Sequence, residues 1–237
     1  MSIDIANINS QFAGRDPGEF LAWAAGLPDT RIGLACSFSP EDIAIIHFIR
    51  EADLDLQVFA IDTGRLHEET YECAENVRRR YDLPIHWYFP DQTAVEEMER
   101  SKGLYSFRES LENRHECCGI RKVEPLNRAL ATLDGWITGQ RRDQSVTRTE
   151  LALLEIDTGH GGILKLNPLA EWSEERVWSF VKDASLPYNR LHDRSFPSIG
   201  CAPCTRPVQE GEHPRTGRWW WEDPENKECG LHLAPPS

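Results

Sequence analysis

The sequence predicts an α/β fold, a parallel sheet covered by helices with an irregular C-terminal arm, and three observations carry that prediction. Short apolar runs alternate with helical stretches between about residues 31 and 166. The turns that follow three of those runs are polar and bear Gly or Arg. The alternation then stops, and Phe196–Ser237 is rich in Pro, Gly, Cys, Trp and Arg with neither a helical nor an alternating pattern. Strands separated by helices imply parallel pairing with both faces buried.

Arg31–Ser37 (RIGLACS) reads as the first strand, and Glu41–Glu51, behind Pro40, as a helix. Leu56–Ile61 (LQVFAI) is the second strand, followed by a helix over Glu68–Tyr81. Ile85–Phe89 (IHWYF) is the third. A long helical stretch from about Ile120 to Leu133 leads into the fourth, Gly135–Thr138, and Ile163–Leu166 is the fifth. Residues 1–195, including an N-terminal helical segment, are expected to form the α/β domain, and 196–237 the arm packed on it.

Ligands of open parallel sheets lie beyond the carboxyl ends of the strands. The chemistry is therefore expected in Ser37–Asp42 (SFSPED), Asp62–Arg65 (DTGR) and Gly139–Arg148 (GQRRDQSVTR). One such loop alone would be read as an ordinary turn; three at one sheet edge point to a site.

Composition limits the classes of function. The 237 residues carry 26 Lys and Arg against 39 Asp and Glu, a net charge of −13. Such a surface repels a phosphate backbone, so nucleic acid is not an expected partner and an anionic substrate needs a local basic cluster. Arg121 and Lys122, Arg141, Arg142 and Arg148, and Arg215 and Arg218 supply candidates. No window approaches eighteen apolar residues, and the N-terminus lacks the basic start and apolar block of a signal peptide. No membrane association and a cytoplasmic location are expected.

Seven cysteines, an odd number, in a reducing compartment suggest metal or thiol chemistry rather than a disulfide framework. Cys117-Cys118 and Cys201-x-x-Cys204 offer four thiolates, suited to a four-iron cluster or to zinc; spacing alone leaves both open. The adjacent pair is expected at the N-terminus of the helix before the fourth strand, where the helix dipole favours a thiolate. Cys36 and Cys73 read as small buried residues. Cys229, in Glu228-Cys229-Gly230-Leu231-His232, reads as an accessible nucleophilic thiol. The Trp219-Trp220-Trp221 run serves either packing or partner docking.

Together, Ser37–Asp42, Ile61–Arg65, Gly139–Ser145, Cys117-Cys118, Cys201-x-x-Cys204 and the terminal E-C-G-L-H resemble the assimilatory adenylyl-sulfate reductases from about residue 31 to residue 232. The resemblance implies an adenine nucleotide α-hydrolase-like fold related to the ATP pyrophosphatases. It also implies a [4Fe–4S] cluster on Cys117, Cys118, Cys201 and Cys204. The implied activity is thioredoxin-dependent reduction of adenylyl sulfate to sulfite and AMP through an S-sulfocysteine on Cys229, in assimilatory sulfate reduction and cysteine biosynthesis. The alternative is use of the 3′-phosphorylated nucleotide, alone or as well. Substrate contacts are implied for Ser37, Phe38, Ser39, Ile61, Asp62, Gly64, Lys122, Gly139, Arg141, Arg142, Arg148, Arg215, Arg218 and His232. No thioredoxin-like domain follows in the sequence given, so an external thioredoxin or glutaredoxin is expected as reductant. A homo-oligomer is compatible with this reading.

Two rival readings fit the residues less well. An ATP pyrophosphatase of the same fold wants a glycine-rich S-G-G-x-D-S loop, where this chain has Phe38 and Pro40. A zinc-stabilised binding module leaves Cys229 without a role.

Overall fold

A computed structural model of the protein describes residues 3–144 and 151–223. In chain order the elements are α1 (Ile5–Phe12), α2 (Pro17–Ala25), β1 (Ile32–Cys36), α3 (Pro40–Glu51), β2 (Gln57–Ile61), α4 (Glu68–Tyr81), β3 (Ile85–Tyr88), α5 (Gln92–Lys102), α6 (Leu111–Cys118), α7 (Glu124–Leu130), β4 (Gly135–Ile137), β5 (Leu154–Asp157), β6 (Ile163–Leu166) and α8 (Glu174–Asp183). The six strands form one sheet in the order β3-β2-β1-β4-β6-β5. β1 pairs in parallel with β2 and β4, and β4 in parallel with β6. All five expected strands are present. A sixth, β5, was not anticipated; it joins antiparallel to β6 at the edge.

The chain divides into two compact units. One comprises the described residues up to Ala60, Ala74–His86 and Leu130–Tyr188; the other comprises Ile61–Cys73, Trp87–Ala129 and the described residues from Asn189 onward.

In the first unit the core is aliphatic beneath α3 and aromatic on its flank. Ile43, Ile45, Ile46 and Ile49 are fully buried, each worth about 1.5–3 kcal/mol relative to exposure. Phe48 stacks on Phe180 of α8 with centroids 5.0 Å apart, and both meet Trp172 edge-on. The helix starts where the sequence says it should. Pro40 occupies its first turn, and Ser39 and Asp42 form a capping box. The exposed edge of β5 is blocked by α1: Asn9 donates to the Leu154 carbonyl at 2.9 Å and accepts from its N–H at 2.8 Å. That removes a pairing site that a second strand could use.

The second unit has a smaller core of Met98, Phe107 and Cys117, against which Ile120, Cys204 and Trp221 pack. Here one expectation is corrected. Cys117 and Cys118 do not open a helix; they close α6, which begins at Leu111 with Ser110 as its cap. A π-helical turn, Gly119–Val123, then carries the chain into α7. Pro125 lacks an N–H to donate back along the helix, and the wider turn ahead of it absorbs the break. The cysteine pair therefore gains nothing from a helix N-terminus. No helix among the described residues is long and apolar enough to cross a membrane.

Candidate active site

β1, β2 and β4 run directly into the three loops singled out from the sequence. In the first unit, the loop after β1 is organised by Asp42. Its carboxylate accepts from the Ser37 N–H at 2.7 Å, the Ser37 hydroxyl at 2.8 Å and the Ser39 N–H at 3.4 Å. Phe38, between the two serines, has φ of 61° and is buried. The loop thus takes the left-handed geometry a glycine would supply, and fills the space with a ring instead. The loop after β4 approaches so closely that a Cβ on Gly139 would sit 2.5 Å from Asp42 Oδ1 and 2.9 Å from Glu41 Cβ. Only glycine permits that approach.

The two described arginines of this loop, Arg141 and Arg142, are engaged by the protein itself. Arg141 is buried against Glu41 at 2.8 Å, and Gln144 donates to the same Glu41 oxygen at 3.0 Å. Arg142 donates to the Leu151 carbonyl at 2.8 Å and pairs with Glu171 at 3.3 Å. Among the described residues, the buried amide nitrogen of Gln140, beside Gly139 in the chain, has no hydrogen-bond partner.

Burial pushes the Asp42 carboxyl up to about 6, against the pull of the Ser37 hydrogen bonds. A folded-state value above the ordinary 3.8 means the folded protein holds the extra proton between those two values. The stabilisation is fully present below the lower value and is lost as pH rises through the upper. It amounts to roughly 3 kcal/mol across the window. Urea midpoints measured from pH 4 to 7 should therefore fall more steeply for the native protein than for Asp42→Asn. Parallel profiles would contradict it.

In the second unit, the Asp-Thr-Gly turn is tied down at each residue. Asp62 accepts from the Gly64 N–H at 2.7 Å and from the Tyr71 hydroxyl at 2.9 and 3.0 Å. Gly64 has φ of 69°, which makes the turn cheap for glycine and strained for other residues. The Thr63 hydroxyl lies 3.3 Å from Cys201 Sγ. Arg65 donates to Glu99 and to the Leu104 carbonyl, each at 2.8 Å. Arg121 donates to the Thr63 carbonyl at 2.8 Å and shares the same Glu99 oxygen. Arg121, expected in an anion-binding cluster, is thus buried within the scaffold. Lys122, next to it on the π-helical turn, is half-buried.

The same unit gathers both cysteine pairs. Cys201–Cys204 is a tight turn: the Cys204 N–H donates to the Cys201 carbonyl at 2.9 Å, and the Ala202 N–H to the Arg65 carbonyl at 2.8 Å. Burial raises the Cys204 thiol, and Cys201, Cys118 and Cys117 raise it further. Burial likewise raises Cys117, while the Arg65 and Arg121 guanidinium groups pull it down. Four thiols near enough to repel one another as thiolates, with two cations at hand, fit a group that takes four thiolates. Among the described residues, no set of three or more His, Cys, Asp or Glu is gathered to hold a single metal ion.

The arm packs through its tryptophans. The Trp219 N–H donates to the Cys204 carbonyl at 3.1 Å. Its ring lies between two guanidinium groups, Arg114 at 4.5 Å and Arg218 at 4.6 Å. Arg114 is fully buried and pairs with Glu222 at 2.7 Å. Arg218 is buried with its Nε unpartnered among the described residues, and its charge helps hold the His67 imidazole below its ordinary value, burial being the larger cause. Arg215 is half-buried on the turn Pro214–Gly217. Arg148, Cys229 and His232 lie outside the described residues.

Sequence reasoning missed Glu99, which ties Arg65 to Arg121, and Arg114, which braces Trp219. Neither has a local motif. Thr63 stood inside the Asp-Thr-Gly motif, but nothing local showed its hydroxyl meeting a cysteine 138 residues away.

Comparison with known proteins identifies the family. Residues 31–207 match the phosphoadenosine phosphosulfate reductase domain. An adenosine 5′-phosphosulfate reductase of Burkholderia cepacia is 49% identical over 204 residues, which cover 86% of this chain and 81% of that protein. Its counterpart in Pseudomonas aeruginosa is 44% identical over 237 residues, 98% of this chain and 87% of that one. The crystal structure of a phosphoadenylyl-sulfate reductase from Candida auris superposes with a TM-score of 0.75 at 25% identity, covering 87% of this chain and 99% of that one. The chain belongs to the phosphoadenosine phosphosulfate reductase domain family.

Proposed function

We propose that the protein reduces adenylyl sulfate to sulfite and AMP in sulfate assimilation, with Cys229 as nucleophile, thioredoxin as reductant and a [4Fe–4S] cluster on Cys117, Cys118, Cys201 and Cys204. The observation that carries this reading is the gathering of both cysteine pairs in one unit, beside Arg65 and Arg121. Four thiolates sharing one zinc ion must crowd a single point. In a cubic cluster each thiolate takes its own iron, so the sulfurs stand farther apart around a larger body. Four thiols that act on one another, beside two guanidinium groups, are the donor set that supports this reading. When bound, such a cluster would be held by Cys117, Cys118, Cys201 and Cys204 and would supply fixed charge there. Both electrons come from thiols.

In the first step the Cys229 thiolate attacks the sulfur of adenylyl sulfate. The bond from that sulfur to the bridging oxygen breaks, and AMP leaves with the electron pair. S-sulfocysteine remains. A thioredoxin thiolate then attacks Cys229 Sγ, sulfite leaves, and the second thiol of thioredoxin resolves the mixed disulfide. Two anions meet in the first step, and Lys122, Arg148, Arg215, Arg218 and His232 are the groups proposed to offset that repulsion. Nucleotide contacts are proposed for Ser37–Ser39, Gly139, Arg141 and Arg142 in the first unit and, separately, for Ile61, Asp62 and Gly64 in the second, those of the first unit largely through backbone since Arg141 is already committed to Glu41. The arm, residues 196–237, would carry the nucleophile, and a cytoplasmic setting would keep the thiols reduced.

The test is intact-mass analysis after adding adenylyl sulfate without reductant, alongside iron and labile-sulfide analysis. An adduct of one sulfonate on Cys229 and four irons per chain are expected. Stoichiometric zinc without sulfide would overturn the cluster, and an unmodified Cys229 would overturn the mechanism. Turnover of the 3′-phosphorylated nucleotide should be slower under the same conditions; equal rates would make the enzyme a dual reductase.

A further inference from the structure

The arm and the segment after α5 together expose a face whose composition differs from the surface around it. Leu104 is 60% exposed, Tyr105 58% and Trp220 38%. Arg108 lies among them, with its guanidinium 5.1 Å from the Tyr105 ring, 5.4 Å from Trp220, 5.3 Å from Trp221 and 5.6 Å from Phe107. The same side chain donates to the Pro203 carbonyl inside the Cys201–Cys204 turn at 2.9 Å. Leu104 is anchored through its own carbonyl by Arg65. These groups are exposed yet already fixed, so a partner would lose little conformational freedom in engaging them. Tyr, Trp and Arg are also the residues that concentrate binding energy at protein interfaces.

The place of Cys229 in the sequence argues for the kind of partner. It lies six residues beyond Asp223, a length of chain that reaches at most about 22 Å when fully extended. Asp223 itself is three residues from Trp220, at the end of a turn in which the Glu222 N–H donates to the Trp219 carbonyl at 2.9 Å. A protein that forms a mixed disulfide with Cys229 must bring its sulfur to bonding distance of Cys229 Sγ, and its footprint then falls around the root of this segment. A small free thiol has no such requirement.

We infer that the face formed by Leu104, Tyr105, Arg108 and Trp220 is where a protein dithiol docks to take the sulfonated Cys229. This rests on the reading above that Cys229 carries the sulfonate. The attack breaks the bond between Cys229 Sγ and the sulfonate, sulfite leaves with the electron pair, and the dithiol ends as a disulfide.

The test is the Leu104→Asp/Tyr105→Ser double variant, with Tyr105→Ser alone as the milder form should the double variant fold poorly. Adduct formation on Cys229 without reductant should match the native protein, and so should sulfite release driven by dithiothreitol. With thioredoxin as reductant, KM for thioredoxin should rise at least about tenfold. An unchanged KM in a variant that still forms the adduct overturns the docking face. So does a change in oligomer mass with unchanged KM, which would make the face a contact between copies of this chain. Equal loss with dithiothreitol and with thioredoxin overturns it too, because the face would then be serving the chain's own terminal segment. Absence of the adduct in the native protein would instead remove the underlying reading, and the docking proposal with it.

Discussion

Replacing Cys229 by serine is expected to lower sulfite release by at least ~10³-fold while iron and labile sulfide stay at native levels. The chemistry needs a thiolate, and a serine hydroxyl does not ionise near neutral pH, so both steps fail at once. No other cysteine can stand in. Cys36 and Cys73 are buried, and burial pushes the Cys73 thiol up to about 12. Cys117, Cys118, Cys201 and Cys204 are gathered in one mutually repelling group that the cluster would occupy. The variant should thus keep its iron and labile sulfide and bind nucleotide, yet show no sulfonate adduct. Sulfite formed at more than a trace by Cys229→Ser would move the nucleophile elsewhere. Loss of iron together with activity would instead tie Cys229 to the metal.

The parallel strands were legible because each is a short apolar run between turn residues, and burial on both faces leaves no alternation to confuse. β5 was not. Its four residues, Leu154–Asp157, include two acidic side chains, and it is held at the edge by β6 and by Asn9, 145 positions away. α6 was missed for a related reason: LENRHECC shows no apolar stripe, and its start signal is the single cap Ser110. At the site, the cysteine spacing and the three loops were readable because their chemistry is local. What the basic residues do was not readable. Arg121, Arg141 and Arg142 looked alike as members of basic runs, yet each is bound to a carboxylate brought in from elsewhere in the fold. A sequence displays the charge of an arginine but not its partner, which here is each time a carboxylate distant in the chain.

Arg141 is where that distinction has its largest energetic consequence. Its ion pair with Glu41 is nearly dry, the two side chains being 5% and 9% exposed. Removing one partner of such a pair strands a buried charge, and the usual penalty is about 3–5 kcal/mol. Arg141→Ala should fall at the lower end, because Glu41 sits in the first turn of α3, where the helix dipole favours its charge, and Gln144 still donates to it. A loss of about 3 kcal/mol corresponds to a large drop in the urea midpoint, which equilibrium unfolding will read directly. The double variant Glu41→Gln/Arg141→Met removes both charges and keeps most of the volume, so it should recover much of that loss. If Arg141 also contacted substrate, the double variant would refold but keep a raised KM for adenylyl sulfate. If Arg141 only braces the loop, KM should return with stability. An Arg141→Ala protein as stable as the native one would show that the pair contributes nothing net, and that Gly139 and Asp42 alone hold the two loops together.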